Sequence, residues 1–176
     1  FLILFSTAMT SISSSSISLE KETINITKCL PIKEELILKS KILSCFIIEL
    51  PFLLLGELIF FFYFKPNIFY IASIFLIGFI VILLSALIGL IVNLKYPKMN
   101  ASNDTEVVKQ SISSMISIFI GMGLFVISII SFVYLSKIFS TEKYIVLHLV
   151  ILSIINLVLY YILINYSVKD YRRINV

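Results

Sequence analysis

The sequence predicts an all-α fold, a polytopic transmembrane helical bundle with four full spans, the tail of a preceding one, and short amphipathic helices at the membrane surface. Three observations predict it. The chain is 60% hydrophobic with a mean hydropathy of +1.09, and a globule of 176 residues has too little interior to hide that apolar fraction. The apolar residues fall in blocks about as long as the roughly 20 helical residues that cross a bilayer core. The blocks lack the half-length alternation of barrel strands, and in lipid a single block of this kind satisfies its own backbone hydrogen bonds only as a helix.

The opening FLILFSTAMT, residues 1–10, is too short to span and has no basic flank. It reads not as a signal peptide but as the end of a truncated transmembrane helix, which makes the chain the C-terminal part of a longer unit. Residues 11–41, SISSSSISLEKETINITKCLPIKEELILKSK, form the long polar interval. Within it the serines at 13–16 alone read as a low-complexity linker. Pro31 suits the first turn of a helix, where a missing amide hydrogen costs nothing, and Glu34, Glu35, Leu36, Ile37 and Leu38 continue that helix toward the membrane. The acids near its start and Lys39 and Lys41 beyond suit the helix dipole.

Residues 42–166 hold the four-span domain, with crossings at about 42–64, 68–94, 114–135 and 144–165. They are joined by Lys65-Pro66-Asn67, by a polar interval over 95–113 and by a short turn at 137–143. In the polar interval Asn103 and Glu106 have capping-box spacing, so a helix should begin at Asp104. Val107, Val108, Ile112 and Met115 would give it one apolar side as it runs into the third crossing. The tail SVKDYRRINV, residues 167–176, is polar and basic.

Charge distribution orients these crossings. Lys21, Lys28, Lys33, Lys39, Lys41, Lys95, Lys98, Lys109, Lys169, Arg172 and Arg173 fall on one side, and only Lys65, Lys137 and Lys143 on the other. The positive-inside bias assigns the first set to the cytoplasm. The expectation is therefore a multi-pass protein of the cell membrane, in contact with lipid, with its C-terminus cytoplasmic. The net charge of +4 is scattered over separate loops and forms no continuous patch, so nucleic acid is not expected as a partner. Asn-x-Ser/Thr triplets at Asn25, Asn100, Asn103 and Asn165 all fall on or beside the cytoplasmic side and read as chance sequons.

Glu49 and Glu57 are the costliest residues. An acid at the centre of a span costs about 3 kcal/mol on insertion scales, whereas each Leu, Ile or Phe returns about 0.3 to 0.6 kcal/mol. The pair lies about 12 Å apart along a helix axis and some 80° apart around it, with Pro51 expected to kink the helix between them. Both should face other helices or a wet cavity, either as a translocation path or as hydrogen-bonded helix glue. Small residues at four-residue spacing, Ser85 and Gly89 in the second crossing and Ser113, Ser117 and Gly121 in the third, mark close helix packing. His148, the only histidine, reads as a packing residue near Ser153 and Asn156. Cys29 and Cys45 lack metal-ligand spacing and read as small hydrophobes.

Enzyme chemistry finds little support. One histidine excludes an HExxH zinc site, no Gly-rich phosphate loop is present, and no cofactor is expected. Glu34-Glu35 is similar to the paired glutamates of intramembrane CAAX-type proteases, but the His and Arg or Asn partners of that chemistry are absent from the spans.

Two ordered blocks carry a family resemblance. Ser16-Ile17-Ser18-Leu19-Glu20, then Cys29-Leu30-Pro31-Ile32 and Lys39 or Lys41, resembles a "SISLEGK…LKSLPIS…K" pattern in the cytoplasmic loop of bacterial type-two ABC export permeases. Asn93-Leu94-Lys95-Tyr96-Pro97-Lys98, followed by Asn103, Glu106, Val107, Val108, Lys109, Gln110 and Ser111, is similar to the same family's "NLKFPK…NE…VVKQS". This chain has Lys21 where that family usually has Gly, and Lys33 where it often has Ser. The resemblance implies a permease subunit driven by a separate cytoplasmic ABC ATPase, in a dimer or pseudo-dimer of permease units. It implies an ATPase-coupling contact at Glu20, Lys21, Leu30, Pro31, Ile32 and Lys33. Read from the residues alone, the same loop fits an interfacial anchor, and the chain also fits a non-transporting helical scaffold or immunity-type protein. A proton-coupled secondary transporter using Glu57 is the third reading.

Overall fold

The computed structural model describes residues 5–6, 12–101 and 103–174, with Glu22 described in its backbone only. Helix α1 (Ile24–Cys29) follows two 3-10 turns, Ser13–Ser15 and Lys21–Thr23. The remaining helices are α2 (Glu34–Phe64), α3 (Ile68–Lys95), α4 (Asp104–Lys109), α5 (Ile112–Leu135), α6 (Thr141–Ile162) and α7 (Val168–Arg173), with a π turn at Leu163–Ser167 between the last two. No strand occurs among the described residues. The fold is an all-α bundle in which four helical segments are long and apolar enough to cross a membrane.

Helix α3 is the centre of the bundle, packing against α2, α5, α6 and the Ser13–Ser15 turn. Half of its most apolar stretch is buried, against 17% for α2 and α6 and 11% for α5. The three peripheral helices turn Phe52, Ile59, Phe62, Phe119, Ile127 and Leu157 outward. Apolar side chains on that perimeter are stable only if lipid surrounds it, so association rests on close packing and interhelical hydrogen bonds more than on exclusion of water. Leu53 of α2 packs over Gly78 of α3 so closely that a Cβ there would collide with its Cδ1, and Phe46 meets Phe79 at 4.9 Å between ring centroids.

The helices run beyond the apolar blocks at one end of the bundle, where residues 12–33, 95–101, 103–111 and 163–174 gather and which is termed the basic end. The first crossing begins at Glu34, eight positions before the apolar block. Nothing between 34 and 41 breaks a helix; Glu and Lys are good helix formers that merely hide the element from a hydropathy reading. Pro31 stands outside this helix, whose N-cap is Lys33 in extended conformation. Leu30, with φ −70° and ψ 142°, takes the extended backbone favoured before proline. Pro51 lies inside α2, which continues through it; lacking an amide hydrogen, it leaves the Ile47 carbonyl without its usual partner in the turn.

The fourth crossing also outlasts its block, passing through the π turn into α7. The expected polar tail is in fact a packed helix as far as Arg173. Tyr171 is fully buried in a cluster with Ile17, Ile24, Leu38, Leu90 and Leu163, and side chains of this size contribute about 1.5 to 3 kcal/mol when taken out of water. Helix α4 begins at Asp104 as its spacing predicts, but Asn103 makes no side-chain cap. Glu106 instead pairs with Lys98 at 2.7 Å. Nor does α4 run straight into the third crossing: the chain breaks at Gln110, and Ser111 caps α5 by accepting from Ser114 N at 3.1 Å. The truncated span expected over residues 1–10 falls, apart from Phe5 and Ser6, outside the described residues; Phe5 meets Phe125 at 5.4 Å between ring centroids.

Candidate functional site: a polar joint and elbow at the basic end

The serine run is the least linker-like part of the chain. Ser13, Ser14, Ser15 and Ser18 are all buried, because the run folds into a tight turn wedged between α3 and α5. Gly89 makes room for it: a Cβ there would lie 2.8 Å from Ser14 N and would collide with Ser13 Oγ. The small residues of α3 therefore accept a backbone turn, where the sequence predicts a neighbouring helix. Ser13 Oγ donates to the Ser85 carbonyl at 3.3 Å.

Asn93, one turn beyond Gly89 on α3, ties the assembly together and is fully buried. Its Oδ1 accepts from Ile17 N at 2.8 Å and from Ser18 N at 3.2 Å. Its Nδ2 donates to Ser18 Oγ at 2.8 Å and to Ser113 Oγ at 3.1 Å. Helix α5 answers with Ser113 Oγ donating to the Ser14 carbonyl at 2.8 Å and with Ser14 and Ser114 hydroxyls 3.1 Å apart. Ser117 donates back to the Ser113 carbonyl at 2.8 Å, while Gly121 is half-buried. A polar cluster away from water is stable only when its members find partners, and here short neutral side chains and backbone groups supply them.

The elbow leaves this joint at Glu20. Glu20 pairs with Lys41 of α2, and Lys41 also donates to the Ser16 carbonyl at 3.2 Å. Lys21 pairs with Asp104 of α4 at 3.0 Å. The backbone at Lys21 has φ 35°, a left-handed conformation that costs a residue with a Cβ about 1 to 2 kcal/mol and glycine little. Helix α1 then docks through Ile24, which is fully buried, and through Lys28, which donates to the Ile174 carbonyl and sits over the Tyr171 ring. The tip, Leu30, Pro31, Ile32 and Lys33, is exposed. On its far side Arg172 forks onto Glu34, at 2.7 and 3.1 Å. The six elbow residues singled out by sequence thus divide into Glu20 and Lys21, which are ion-paired to the bundle, and the 30–33 tip, which is free to meet something else.

The acids of α2 lie elsewhere. Leu38, Ile42, Cys45, Glu49, Leu53 and Glu57 form its buried stripe toward α3, so both carboxyls face protein rather than the perimeter. Glu57 Oε1 has no hydrogen-bond partner among the described residues. His148 stacks on Tyr144, with ring centroids 5.6 Å apart, and its Nε2 is also unpartnered there. Tyr144 in turn donates to the Ser128 carbonyl at 3.0 Å. Asn156 donates to the Ile80 carbonyl of α3 at 3.1 Å. Glu49 and Glu57 thus lie between α2 and α3, Tyr144 contacts α5, and Asn156 contacts α3. Cys29 is exposed and Cys45 buried, and no cluster of metal-ligating side chains occurs among the described residues.

Sequence reasoning missed Asn93 as the hub and the serines as its partners. The available signal was a lone asparagine inside an otherwise apolar crossing, in register with Ser85 and Gly89. No protein family, curated protein or solved structure matches the chain.

Proposed function

We propose that the chain is a membrane-spanning subunit of a type-two ABC exporter, working in the cell membrane with the basic end in the cytoplasm. ATP is bound and hydrolysed by a separate ABC ATPase subunit, and permease units act as a dimer or pseudo-dimer. The elbow is the contact: a partner closing on the 30–33 tip displaces α1 and, through Glu20, Lys21 and Glu34, the helices to which these are paired.

The observation that carries this reading is the geometry of the elbow. Leu30 and Ile32 are 47% and 46% exposed at a tip flanked by lysines, whereas the residues on either side are ion-paired to α2, α4 and α7. An exposed apolar tip on a tethered arm suits a protein partner, and the tethers give a push on it somewhere to go. The φ of 35° at Lys21 adds support, since it falls where the resembling permeases usually carry glycine. Eleven of the 14 basic residues lie on the elbow's side, which favours its cytoplasmic orientation.

The test is co-expression of the full-length protein with an ABC ATPase, which the reading expects a neighbouring gene to encode. The reading expects a stable complex, stimulated ATP hydrolysis, and loss of both in Leu30→Asp/Ile32→Asp. Export and ATPase association that survive deletion of 20–33 overturn it. A proton-coupled transporter is the second reading, favoured by the unpartnered carboxyl oxygen of Glu57; it expects transport that persists without ATP and collapses in Glu57→Gln.

A further inference from the structure

We propose that Asn93 is a positioning residue that makes the 12–18 turn, the basic end of α3 and the start of α5 one rigid body, so that displacement of the elbow reaches two spans at once. The inference rests on the reading of the elbow as a partner contact, and specifies how its motion enters the bundle.

The amide of Asn93 makes four hydrogen bonds, two accepted and two donated, which is the full capacity of that side chain. Three of them go to the turn and one to α5. The bond from Ser113 Oγ to the Ser14 carbonyl closes the triangle, joining turn and α5 directly. The network therefore has no free member that allows one element to slide past the other two. Gly89 removes the remaining slack, because the turn's backbone already occupies the volume of a side chain there. In a poorly hydrated setting these bonds have no water to exchange with, so the elements part only by breaking several together. Ion pairs leave this body toward α2 and α4, at Glu20–Lys41 and Lys21–Asp104, and Lys98 N donates to Ser18 Oγ at 3.0 Å. The 95–111 interval is thereby attached as well.

The Ser14 and Ser114 hydroxyls, 3.1 Å apart, allow a direct test. In the full-length protein with Cys29 and Cys45 replaced by serine, Ser14→Cys/Ser114→Cys should form a disulfide on mild oxidation in the membrane. The crosslinked protein should retain ATP-driven export, because a joint that never opens is not harmed by a covalent bond across it. Asn93→Leu should lower both crosslinking yield and export, the latter by about tenfold, the factor expected when buried donors and acceptors lose their partners. The ATPase should still bind and ATP hydrolysis continue, which a general loss of structure would not permit. Ser113→Ala, which removes one bond from Asn93 and the bond to the Ser14 carbonyl, supplies a milder disruption with a smaller loss of crosslinking and export if Asn93→Leu fails to fold. A disulfide that forms but abolishes export, or one that does not form, overturns the proposal. Crosslinking yield is read on this chain alone, so it decides the joint even if no ATPase binds the wild-type protein and the functional reading falls.

Discussion

The joint around Asn93 and the face of α2 that carries Glu49 and Glu57 both set polar groups among apolar ones, by different means. The joint uses small neutral side chains and backbone amides, packed so that Asn93 bonds to two other segments. The α2 face uses acids two turns apart, and Glu57 keeps a buried oxygen without a partner among the described residues. The difference separates cohesion from cost. Polar groups that satisfy one another hold helices together where the hydrophobic effect is weak, whereas an unsatisfied one lowers stability and persists only where it serves something else.

Substitutions in the two regions should therefore move stability in opposite directions. The largest effect is expected at Asn93: Asn93→Leu strands the Ile17 and Ser18 amides and takes one bond from each of two hydroxyls that keep others, and thermal unfolding in detergent should register a loss of about 3 kcal/mol. Next, Gly89→Leu forces the serine turn off α3, and overpacking of this kind costs about 2 kcal/mol. Gly56→Leu is its control, since a Cβ at Gly56 meets nothing within 4 Å, and should leave the unfolding midpoint unchanged or raised. On the α2 face Glu57→Leu should stabilise by about 1 to 2 kcal/mol, because hydrocarbon replaces a buried polar group that has an unpartnered oxygen among the described residues. A loss there would mean that Glu57 is cohesive like Asn93, and would erase the contrast. The smallest change is expected at the elbow, where Lys21→Gly relieves the left-handed backbone but loses the pair with Asp104, and the unfolding free energy should move by less than about 1 kcal/mol.

The crossings were legible because each is a continuous apolar block, and the joint was not, because its partners are distant in sequence. Ile17 N and Asn93 are 76 positions apart, and nothing in a run of serines distinguishes a solvated linker from a turn that will meet an asparagine and a glycine on α3. The helical start of the first crossing was legible from Glu34 to Leu38, although Pro31 stands outside it. The end of the fourth crossing was missed for a different reason: Tyr171 in a basic tail gives no local sign of the cluster that buries it. Glu49 and Glu57 were legible as residues that must turn inward, since the cost of an acid facing lipid fixes its face once the helix is assigned.

The account turns on the elbow lying in the cytoplasm, and Cys29 reports it directly. It is exposed beside the tip, while the only other cysteine, Cys45, is buried in the α2 stripe. A membrane-impermeant maleimide should leave Cys29 unmodified in intact cells and label it in inverted membrane vesicles. Labelling of Cys29 from outside intact cells would contradict the orientation, and with it the contact between elbow and ATPase.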